Sequence, residues 1–435
     1  MKKSQRVSMT GQPVYVIDGC RTPYLKATKP TKAFTAAELA VKAGQPLLSR
    51  QPFAADAFDE VILGNVMSRV DEANIARIAA LRLGCGIHVP AWTVQRNCGS
   101  GMQALDCAAR NIAAGRADLI LAGGVESMSH APILFSPEMA SWLADFSRAR
   151  KAMDKLRCIG GFRLAYLKPV IGLLCGLTDP IVGLSMGSTA EILADKFSIN
   201  RKEMDAYAVR SHQRLAAAHD EGRLSEIETI YDKNGQFYDH DEGVRRDSSE
   251  EHLAKLKPVF EKPFGLVTAG NSSQITDGAA LLILASEDAV KKYQLDVIGR
   301  IVDCDWAAND PSEMGLGPVH ASALLLQRHQ LSLRDIECWE LNEAFAAQVI
   351  ACCRAFADQQ YCTQHLGLDA ALGEIDPQRL NVDGGAISTG HPVGSSGARI
   401  VLHLLHVLRQ REAKIGIATQ CIGGGQGGAM LLSRS

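Results

Sequence analysis

Residues 97–124 read NCGSGMQALDCAARNIAAGRADLILAGG, and this stretch decides the fold that the sequence predicts. Apolar side chains recur at helical spacing from Met102 to Ala114, and the strand-like run Leu119–Ala122 follows and ends at two glycines. Residues 397–419 repeat this plan with a glycine, a helix-like stretch and an apolar strand, and the offset from glycine to strand is the same. The repeat indicates an internal duplication.

A second pair of segments supports the duplication. Residues 59–65 read DEVILGN and residues 336–342 read IECWELN, so the two segments occur in the same order in both copies. Strand-like and helix-like stretches also alternate before residue 97, with Val14–Ile17 as a strand and Ala36–Leu48 as a helix. We therefore predict an α/β fold of two similar halves packed face to face.

The alternation is lost between the two copies. Residues 132–273 contain charged helix-like stretches and a turn-rich segment, which is typical of an inserted domain. We predict one half from residues 1–131 plus 274–296, an insertion at 132–273, and a second half at 297–435. A chain of 435 residues is too long for one ordinary core, which agrees with this division.

The composition excludes several classes of function. Net charge is −2, with 46% hydrophobic and 22% charged residues, so nothing in the bulk charge indicates a nucleic-acid partner. The start MKKSQRVSMT is basic but lacks a following apolar segment, and no apolar run is long enough to span a bilayer. The twelve cysteines are scattered, with neither C-x-x-C pairs nor metal-ligand spacing. We expect reduced thiols, a cytoplasmic location and no metal.

Cys98 lies in Asn97-Cys98-Gly99-Ser100-Gly101, where a strand meets a helix. Unpaired backbone N–H groups and the positive end of the helix dipole favour a reactive thiolate there. Gly99 and Gly101 let the backbone approach a ligand closely. A buried structural cysteine in a glycine turn would give the same pattern.

His391 lies in a second glycine-rich turn, GHPVGSSG at 390–397, which corresponds to the Cys98 turn in the duplication. A histidine in such a turn is often a hydrogen-bonding residue with no catalytic role. Symmetry with Cys98 favours a catalytic role instead, because the two turns would face each other across the pseudo-twofold axis.

Two further motifs follow strand-like runs. Residues 421–428 read CIGGGQGG and lead into the strand-like run Ala429–Leu432, whereas a dinucleotide-binding loop leads into a helix. We therefore prefer an oxyanion-binding loop to a phosphate cradle. Asn342 begins Asn-Glu-Ala-Phe at 342–345 and is either a polar site residue or a helix N-cap.

These motifs in this order resemble the thiolase family, and Arg21-Thr22-Pro23, GGVESMS at 123–129 and TAGNSS at 268–273 add to the resemblance. It covers nearly the whole chain. The resemblance implies two β-α-β-α-β-α-β-β halves in five layers, α-β-α-β-α, with an inserted loop domain. It also implies acyl transfer between coenzyme A thioesters, no permanently bound cofactor, and a homodimer or tetramer.

The resemblance assigns roles to five residues. Cys98 is the nucleophile that carries the acyl group, His391 activates it and helps bind a thioester oxygen, and Cys421 is the acid/base. Asn342 would hold a water in one oxyanion site, and the backbone N–H groups of Cys98 and Gly423 would form the other. Coenzyme A would lie along Met186, Arg245, Ala269, Ser273 and Phe345.

This chain departs from the family pattern at three positions. Ser185 precedes Met186-Gly187 where many short-chain members carry histidine, and His252 stands at a position near Arg245 where a serine is usual. Asn342 stands where the β-subunits of trifunctional complexes often carry histidine, although the long insertion resembles theirs. Acyl chain length and reaction direction, including biosynthetic acetoacetyl-CoA formation, are left open.

Two other classes fit less well. A ketoacyl synthase shares the fold but typically pairs its cysteine with two histidines, whereas the third position here is Cys421. A non-catalytic protein with this fold would have lost the nucleophile or its partners, and all are present.

The insertion contains an unusual basic segment. Residues 147–168 carry seven lysines and arginines, and the apolar stretch Leu164–Leu184 overlaps its end. These charges could attract the phosphates of coenzyme A. A basic face beside an apolar one is also what an interfacial helix requires, so an acidic membrane or a multifunctional β-oxidation α-subunit is an alternative partner.

Overall fold

The structure is a computed structural model that describes residues 8–29 and 34–435. Most of the basic amino-terminal stretch weighed above as a targeting signal, residues 1–7, lies outside the described residues. The strands are β1 Val14–Arg21, β2 Leu25–Lys26, β3 Glu60–Gly64, β4 Ala91–Val94, β5 Leu119–Ser127, β6 Ile133–Leu134, β7 Val170–Ile171, β8 Ile230–Tyr231, β9 Phe237–Tyr238, β10 Thr276–Ala285, β11 Gly299–Ala308, β12 Cys338–Leu341, β13 Ile415–Ile422 and β14 Gln426–Ser433.

Helices cover both faces of the sheet, and six of them lie in the insertion. They are α1 Ala36–Ser49, α2 Ile75–Arg82, α3 Ser100–Ala113, α4 Pro137–Arg148, α5 Ala152–Gly160, α6 Gly172–Gly176, α7 Met186–Lys196, α8 Arg201–Asp220, α9 Glu250–Ala254, α10 Glu287–Tyr293, α11 Gly317–His329, α12 Ala346–Ala357, α13 Gln359–Tyr361, α14 Ala386–Thr389 and α15 Val393–Gln410. No helix among the described residues is long and apolar enough to cross a membrane.

The large sheet shows the duplication directly. Its order is β12-β13-β14-β11-β1-β10-β5-β3-β4, so the two halves mirror each other about the β1–β11 pair. Strand β3 is parallel to β5, as β12 is to β13, whereas β5–β10 and β13–β14 are antiparallel. The echoed segments 59–65 and 336–342 form β3 and β12, which occupy equivalent places in the two halves.

Both faces of the central strands are buried, which explains their nearly continuous apolar sequence. In β5, Leu119 and Leu121 pack with α1 and α2 on one side, and Ile120 and Ala122 pack with α3 and α15 on the other. In the second half, residues of β13 and β14 alternate between the α3/α15 side and the side covered by α11 and α12. The result is five layers with α3 and α15 in the middle, as expected.

The two middle helices touch through glycines near their amino termini. A Cβ on Gly101 would lie 2.8 Å from the Gly394 carbonyl oxygen, and one on Gly397 would lie 2.6 Å from the Met102 nitrogen. A Cβ on Gly124 would lie 2.0 Å from the same Gly394 oxygen. Because only glycine fits at these contacts, the halves meet backbone to backbone where the Cys98 and His391 turns begin.

Helix α15 begins earlier than the sequence pattern indicated. The prediction placed its start after Gly397, but its first residue is Val393, so about one extra turn precedes that glycine. Pro392 flanks the start with φ −69°, and the Gly394 N–H donates to the Glu126 carboxylate at 3.2 Å. A carboxylate at a helix amino terminus stabilises the turn, and no local sequence pattern reveals this partner.

The inserted segment divides into a packed and an exposed part. Helices α7 and α8 contribute Leu193, Met204 and Ala208 to the core of the second half. Helix α4 buries only Met139, and α5 buries none of its residues. The part nearest β5 is therefore held to the protein far more loosely than the part that precedes β10.

Replacing Gly124 with alanine should destabilise the protein because the new methyl group would collide with the Gly394 carbonyl. Forcing atoms into a packed core typically costs about 1–3 kcal/mol, and the thermal midpoint should fall accordingly. Gly160→Ala is the control, since Gly160 ends a helix and a Cβ there meets nothing within 4 Å. Equal midpoints for the two variants would contradict the backbone contact.

Candidate active site

Cys98 lies on a strained turn that also reaches the other half of the molecule. Asn97 has a φ of 44°, a left-handed conformation that is uncommon outside glycine. Its side-chain amide donates to the Gly423 carbonyl at 2.9 Å, and the Ser100 hydroxyl donates to the Asn97 carbonyl at 2.7 Å. These bonds hold Cys98 two residues before the first residue of α3 and against the β13–β14 loop.

The Cys98 thiol is held in its protonated form. Burial raises its pKa above the ordinary value, and hydrogen bonds from the backbone N–H groups of Gly423 and of Cys98 itself oppose this only in part. Cys98 packs against a small apolar cluster of Met67, Met128 and Val393. The expectation that the helix terminus favours a resting thiolate is therefore wrong for the free protein, because desolvation is the larger effect. A nucleophilic Cys98 would therefore need a base.

His391 is the candidate for that base. It precedes α15 by two residues, as Cys98 precedes α3, and its backbone N–H donates to the Gln274 carbonyl at 2.9 Å. Its Nδ1 lies 2.6 Å from the Ser396 hydroxyl, and within the described chain its buried Nε2 has no hydrogen-bond partner. Burial and then the Arg399 charge lower its pKa to about 4, so the ring is neutral near pH 7.

Cys421 lies close to the end of β13 and next to Cys98. Burial raises the pKa of its thiol far above the ordinary value, and the charge of an ionised Cys98 raises it further. The loop that follows is a tight hairpin of Gly423, Gly424 and Gly425, the last two with φ of 91° and 70°. The motif therefore connects two strands, as predicted, and turns a backbone N–H toward the Cys98 sulfur.

Asn342 is not a helix cap, which leaves the site-residue alternative open. Helix α12 begins at Ala346, with Phe345 at the N-cap position. The Asn342 backbone N–H donates to the Thr419 carbonyl, two residues before Cys421 along β13. Its buried amide oxygen and nitrogen both lack partners among residues 8–29 and 34–435. An unsatisfied buried amide of this kind is suited to hold a water or a ligand oxygen.

Glu343 anchors the Asn342 motif from behind. Its buried carboxylate accepts hydrogen bonds from the Tyr207 hydroxyl at 2.9 Å, the Ser211 hydroxyl at 2.6 Å and the Asn381 amide at 3.0 Å. The Ile387 N–H donates to the same group at 3.3 Å. These bonds fix the backbone that presents Asn342 on one side and Phe345 on the other.

Glu126 is a buried carboxyl beside the two catalytic turns, and the sequence analysis did not single it out. Its oxygens accept from the backbone N–H groups of Val66, Met67 and Gly394 and from the Asn65 amide, at 3.0–3.2 Å. Burial raises its pKa to about 7. As the only acid in strand β5, it could have been flagged from the sequence, but its contacts could not.

Three of the five residues expected to bind coenzyme A lie next to catalytic residues. The Met186 sulfur lies 3.3 Å from where a Gly423 Cβ would be. The Ser273 N–H donates to the Ala344 carbonyl at 2.9 Å, and Ser272 bridges to Phe345. This segment leads directly to Gln274, the partner of His391.

The other two residues lie at the surface. Arg245 and Ala269 are exposed, and the Arg245 backbone N–H donates to His212 Nδ1 at 3.2 Å. The charge of Arg245 adds to burial in lowering the pKa of His212 to about 4. His252, flagged as a departure, lies on α9 with its N–H bound to Ser249. Arg245, His252 and Ala269 are therefore all exposed, whereas His212 is buried.

Comparisons with known proteins agree with this geometry. The family models for the thiolase N-terminal and C-terminal domains match residues 14–288 and 295–434. A 3-ketoacyl-CoA thiolase of Yersinia pestis is 36% identical over 429 residues, 98% of both chains. Solved structures similar to this chain include a Bacillus anthracis acetyl-CoA acetyltransferase, with TM-score 0.85, 36% identity and coverage of 98% of this chain and 100% of the other.

Human mitochondrial 3-ketoacyl-CoA thiolase in complex with CoA has a TM-score of 0.85 and 38% identity, and the match covers 99% of this chain and 100% of that one. Both family models lie in the order in which the two sheet halves occur, and together they span nearly the whole chain. The chain therefore belongs to the thiolase family and is an acyltransferase that makes or cleaves carbon–carbon bonds by thiolase chemistry.

Proposed function

We propose that this thiolase cleaves 3-oxoacyl-CoA with coenzyme A, giving acetyl-CoA and a shortened acyl-CoA, as a step of fatty-acid β-oxidation. The observation that carries the proposal is the meeting of Cys98, the Gly423 N–H and Cys421 at one point between the halves. Relatives named 3-ketoacyl-CoA thiolase support the degradative direction. The similarity to an acetyl-CoA acetyltransferase keeps biosynthetic acetoacetyl-CoA formation as the alternative.

In the first half-reaction Cys98 attacks the 3-oxo carbonyl after His391 accepts its proton. A soft thiolate suits this carbon, and the covalent intermediate splits one hard step into two. The backbone N–H groups of Cys98 and Gly423 would stabilise the oxyanion, and losing one such donor typically costs roughly 10²–10³ in rate. The Gly423 N–H already points at the sulfur, so the donor is oriented before substrate arrives.

In the same step the bond between the two carbonyl-bearing fragments breaks, and a carbanion forms on the acetyl-CoA fragment. Cys421 gives it a proton, which its raised pKa allows because the thiol stays protonated until a strong base appears. Asn342 would hold a water against the thioester oxygen of that fragment. Coenzyme A then gives its thiol proton to the Cys421 thiolate and attacks the acyl carbon on Cys98. The bond between that carbon and the Cys98 sulfur breaks, and the sulfur takes back the proton that His391 holds.

The residues expected to bind coenzyme A can be ordered from the catalytic cysteines to the protein surface. Met186 and Phe345 would flank the reactive thioester end, Ser273 the middle of the chain, and the exposed Ala269 and Arg245 the adenine end. Arg245 presents a positive charge at the surface where phosphates could reach it. We propose coenzyme A as substrate, without a permanently bound cofactor.

Cys98→Ala should abolish cleavage and condensation while leaving the fold unchanged, since it removes the nucleophile. Incubating the unmodified protein with acetyl-CoA should leave an acetyl mass on the Cys98 peptide in mass spectrometry.

Cys421→Ser should still load acyl groups on Cys98, but its rate of carbon–carbon bond formation and cleavage should fall by about 10²-fold or more, because serine is a poor acid/base. Acetylation of Cys421 instead of Cys98 would overturn these roles.

A ladder of 3-oxoacyl-CoA chain lengths then separates the two directions. Efficient cleavage of long chains supports β-oxidation, whereas activity confined to acetoacetyl-CoA supports the biosynthetic alternative. Cys175→Ala is the matched control for the Cys98 and Cys421 variants. Cys175 is exposed in the insertion, so this variant should have the activity of the unmodified protein.

We also propose a homodimer, which two such dimers could extend to a tetramer. Strand β12 is covered on its outer side by residues 379–381, through the Trp339–Leu380 bridge, but β4 ends the sheet with all four residues only half-buried. Among the described strands, none pairs with that edge beyond β3. An open edge of this kind is suited to a second copy of the chain, and the exposed Ile87 lies four residues before it.

Light scattering should give at least twice the 46.8 kDa mass of one chain. Ile87→Glu, which places a charge just before the open edge, should weaken the dimer, whereas Phe237→Glu on the exposed β8–β9 hairpin should not. A fully active monomer at micromolar concentration would refute the proposal.

A cytoplasmic location and the three-part division made from the sequence are kept as proposals. All twelve cysteines are free, which is typical of a reducing compartment. The residues predicted as an insertion, 132–273, lie between β5 and β10, and this position supports the proposed boundaries 1–131 plus 274–296, 132–273 and 297–435.

The insertion also supports a proposal about partners, and we propose that it docks on an anionic membrane surface. Helix α5 presents Met153, Leu156 and Ile159 along one face, and these side chains are 64%, 62% and 55% exposed. Trp142 stacks against Phe146 and meets Phe162 edge-on, so α4, α5 and the following turn are held as one unit without covering that face.

The charge of this unit matches a lipid surface. All seven basic residues of 147–168 are exposed, and Asp154 is the only acid in the segment. Exposed apolar side chains continue at Leu164, Leu167 and Leu174. A helix with an apolar face, flanking basic residues and little packing to the protein is suited to lie in a membrane interface. A second enzyme would need acidic grooves complementary to the same face.

Replacing Arg148, Arg150, Lys151 and Lys155 with glutamine should weaken binding to vesicles that contain phosphatidylserine by at least about tenfold, because each basic residue contributes about 1 kcal/mol. The matched control replaces Arg116, Lys291, Lys292 and Lys414, which are exposed outside the insertion. Binding should fall with added salt. Absence of vesicle binding, or a change only in the Michaelis constant for coenzyme A, would refute membrane docking.

A further inference from the structure

Two adjacent serines in the first turn of α15 have different partners. Ser395 and Ser396 are both fully buried. The Ser395 hydroxyl pairs with the Tyr24 hydroxyl at 2.8 Å, whereas the Ser396 hydroxyl lies 2.6 Å from Nδ1 of His391. Ser396 therefore contacts the proposed base His391. Ser395 does not, and because it is equally buried it serves as a control position.

The second bond of Ser396 determines the direction of the first. Its hydroxyl donates to the Pro392 carbonyl at 3.1 Å. A serine hydroxyl has one proton, so when that proton is given to Pro392 the oxygen can only accept from Nδ1. Both bonds are satisfied together only if Nδ1 carries the proton of the His391 ring.

The other ring nitrogen is then a bare acceptor. Nε2 of His391 is buried and finds no hydrogen-bond partner anywhere in the described part of the chain. A neutral imidazole has one proton shared between two nitrogens, so a proton on Nδ1 leaves the Nε2 lone pair free. The lowered pKa of His391 keeps the ring in this neutral state near pH 7.

We infer that Ser396 is a positioning residue that fixes His391 in the Nδ1–H tautomer and aims its free Nε2 for proton transfer. This inference rests on the proposed role of His391 as the base for Cys98. The pyrrolidine ring of Pro392 and the first turn of α15 place the hydroxyl, since Ser396 also donates its backbone N–H to Pro392 at 3.0 Å. The backbone of this turn thus places the Ser396 hydroxyl, and the hydroxyl in turn fixes the orientation of the His391 ring.

The proton transfer balances without any further group. The S–H bond of Cys98 breaks, its proton moves to the lone pair of Nε2, and its electron pair stays on sulfur to attack the carbonyl carbon. The Nδ1 proton stays in place, hydrogen-bonded to the Ser396 hydroxyl. If Nε2 carried the proton instead, the ring could not accept another on that side.

Ser396→Ala should slow acylation of Cys98 on the order of 10²-fold, as small losses of catalytic alignment do. The Michaelis constant for the acyl-CoA should change little, because Ser396 touches the base and not the substrate. Ser396→Thr keeps a hydroxyl and should restore most of the rate. Ser395→Ala, which loses only the Tyr24 bond, should retain near-normal acylation.

Nitrogen-15 NMR of histidine-labelled protein tests the tautomer without any activity measurement. The unmodified protein should show a protonated Nδ1 and an unprotonated Nε2 for His391, and Ser396→Ala should mix the two tautomers. A protonated Nε2 in the unmodified protein would sink the inference even if Ser396→Ala were slow. A correct tautomer combined with normal acylation in His391→Gln would instead refute the proposed role of His391.

Discussion

The backbone contact between the two middle helices is the constraint on which the rest of the structure depends. Gly124, Gly101 and Gly397 bring β5 and α3 of one half against the Gly394 turn of the other, at distances that leave no room for a Cβ. Cys98 and His391 each stand two residues before one of these helices. A shift of either helix would therefore move Cys98 or His391. The positions of these two side chains thus depend on the close packing of α3 against α15.

That contact also explains the electrostatics. Backbone and methionine side chains pack around these groups, and desolvation disfavours charge on them. The pKa of the Cys98 and Cys421 thiols is raised and that of His391 is lowered, so all three are neutral at rest. Chemistry must then proceed by proton transfer between neutral groups, and the orientation of the His391 ring becomes as important as its presence.

Much of this could be predicted from the sequence. Strands β5 and β13 were predicted because they are buried on two faces and so are apolar, and the motifs of Cys98, His391 and Cys421 mark three turns. The long strands β10 and β11 were not named from the sequence. The start of α15 was predicted too late, and the resting state of Cys98 was wrong. In both cases the cause is a contact between distant segments: Glu126 lies 268 residues from Gly394, and burial of Cys98 needs the assembled core.

The insertion obeys a different rule from the core. At the glycines where the halves meet, an added methyl group would collide with backbone atoms of the other half. In contrast, α5 contributes no buried side chain and α4 contributes only Met139. Substitutions there meet little resistance from packing, so their composition reflects what the surface touches. Charge and apolar exposure in that segment can therefore change what the enzyme docks on while the distances among Cys98, Gly423 and Cys421 stay fixed. The membrane docking proposed for the insertion and the chemistry proposed for the site would thus rest on separate parts of one chain.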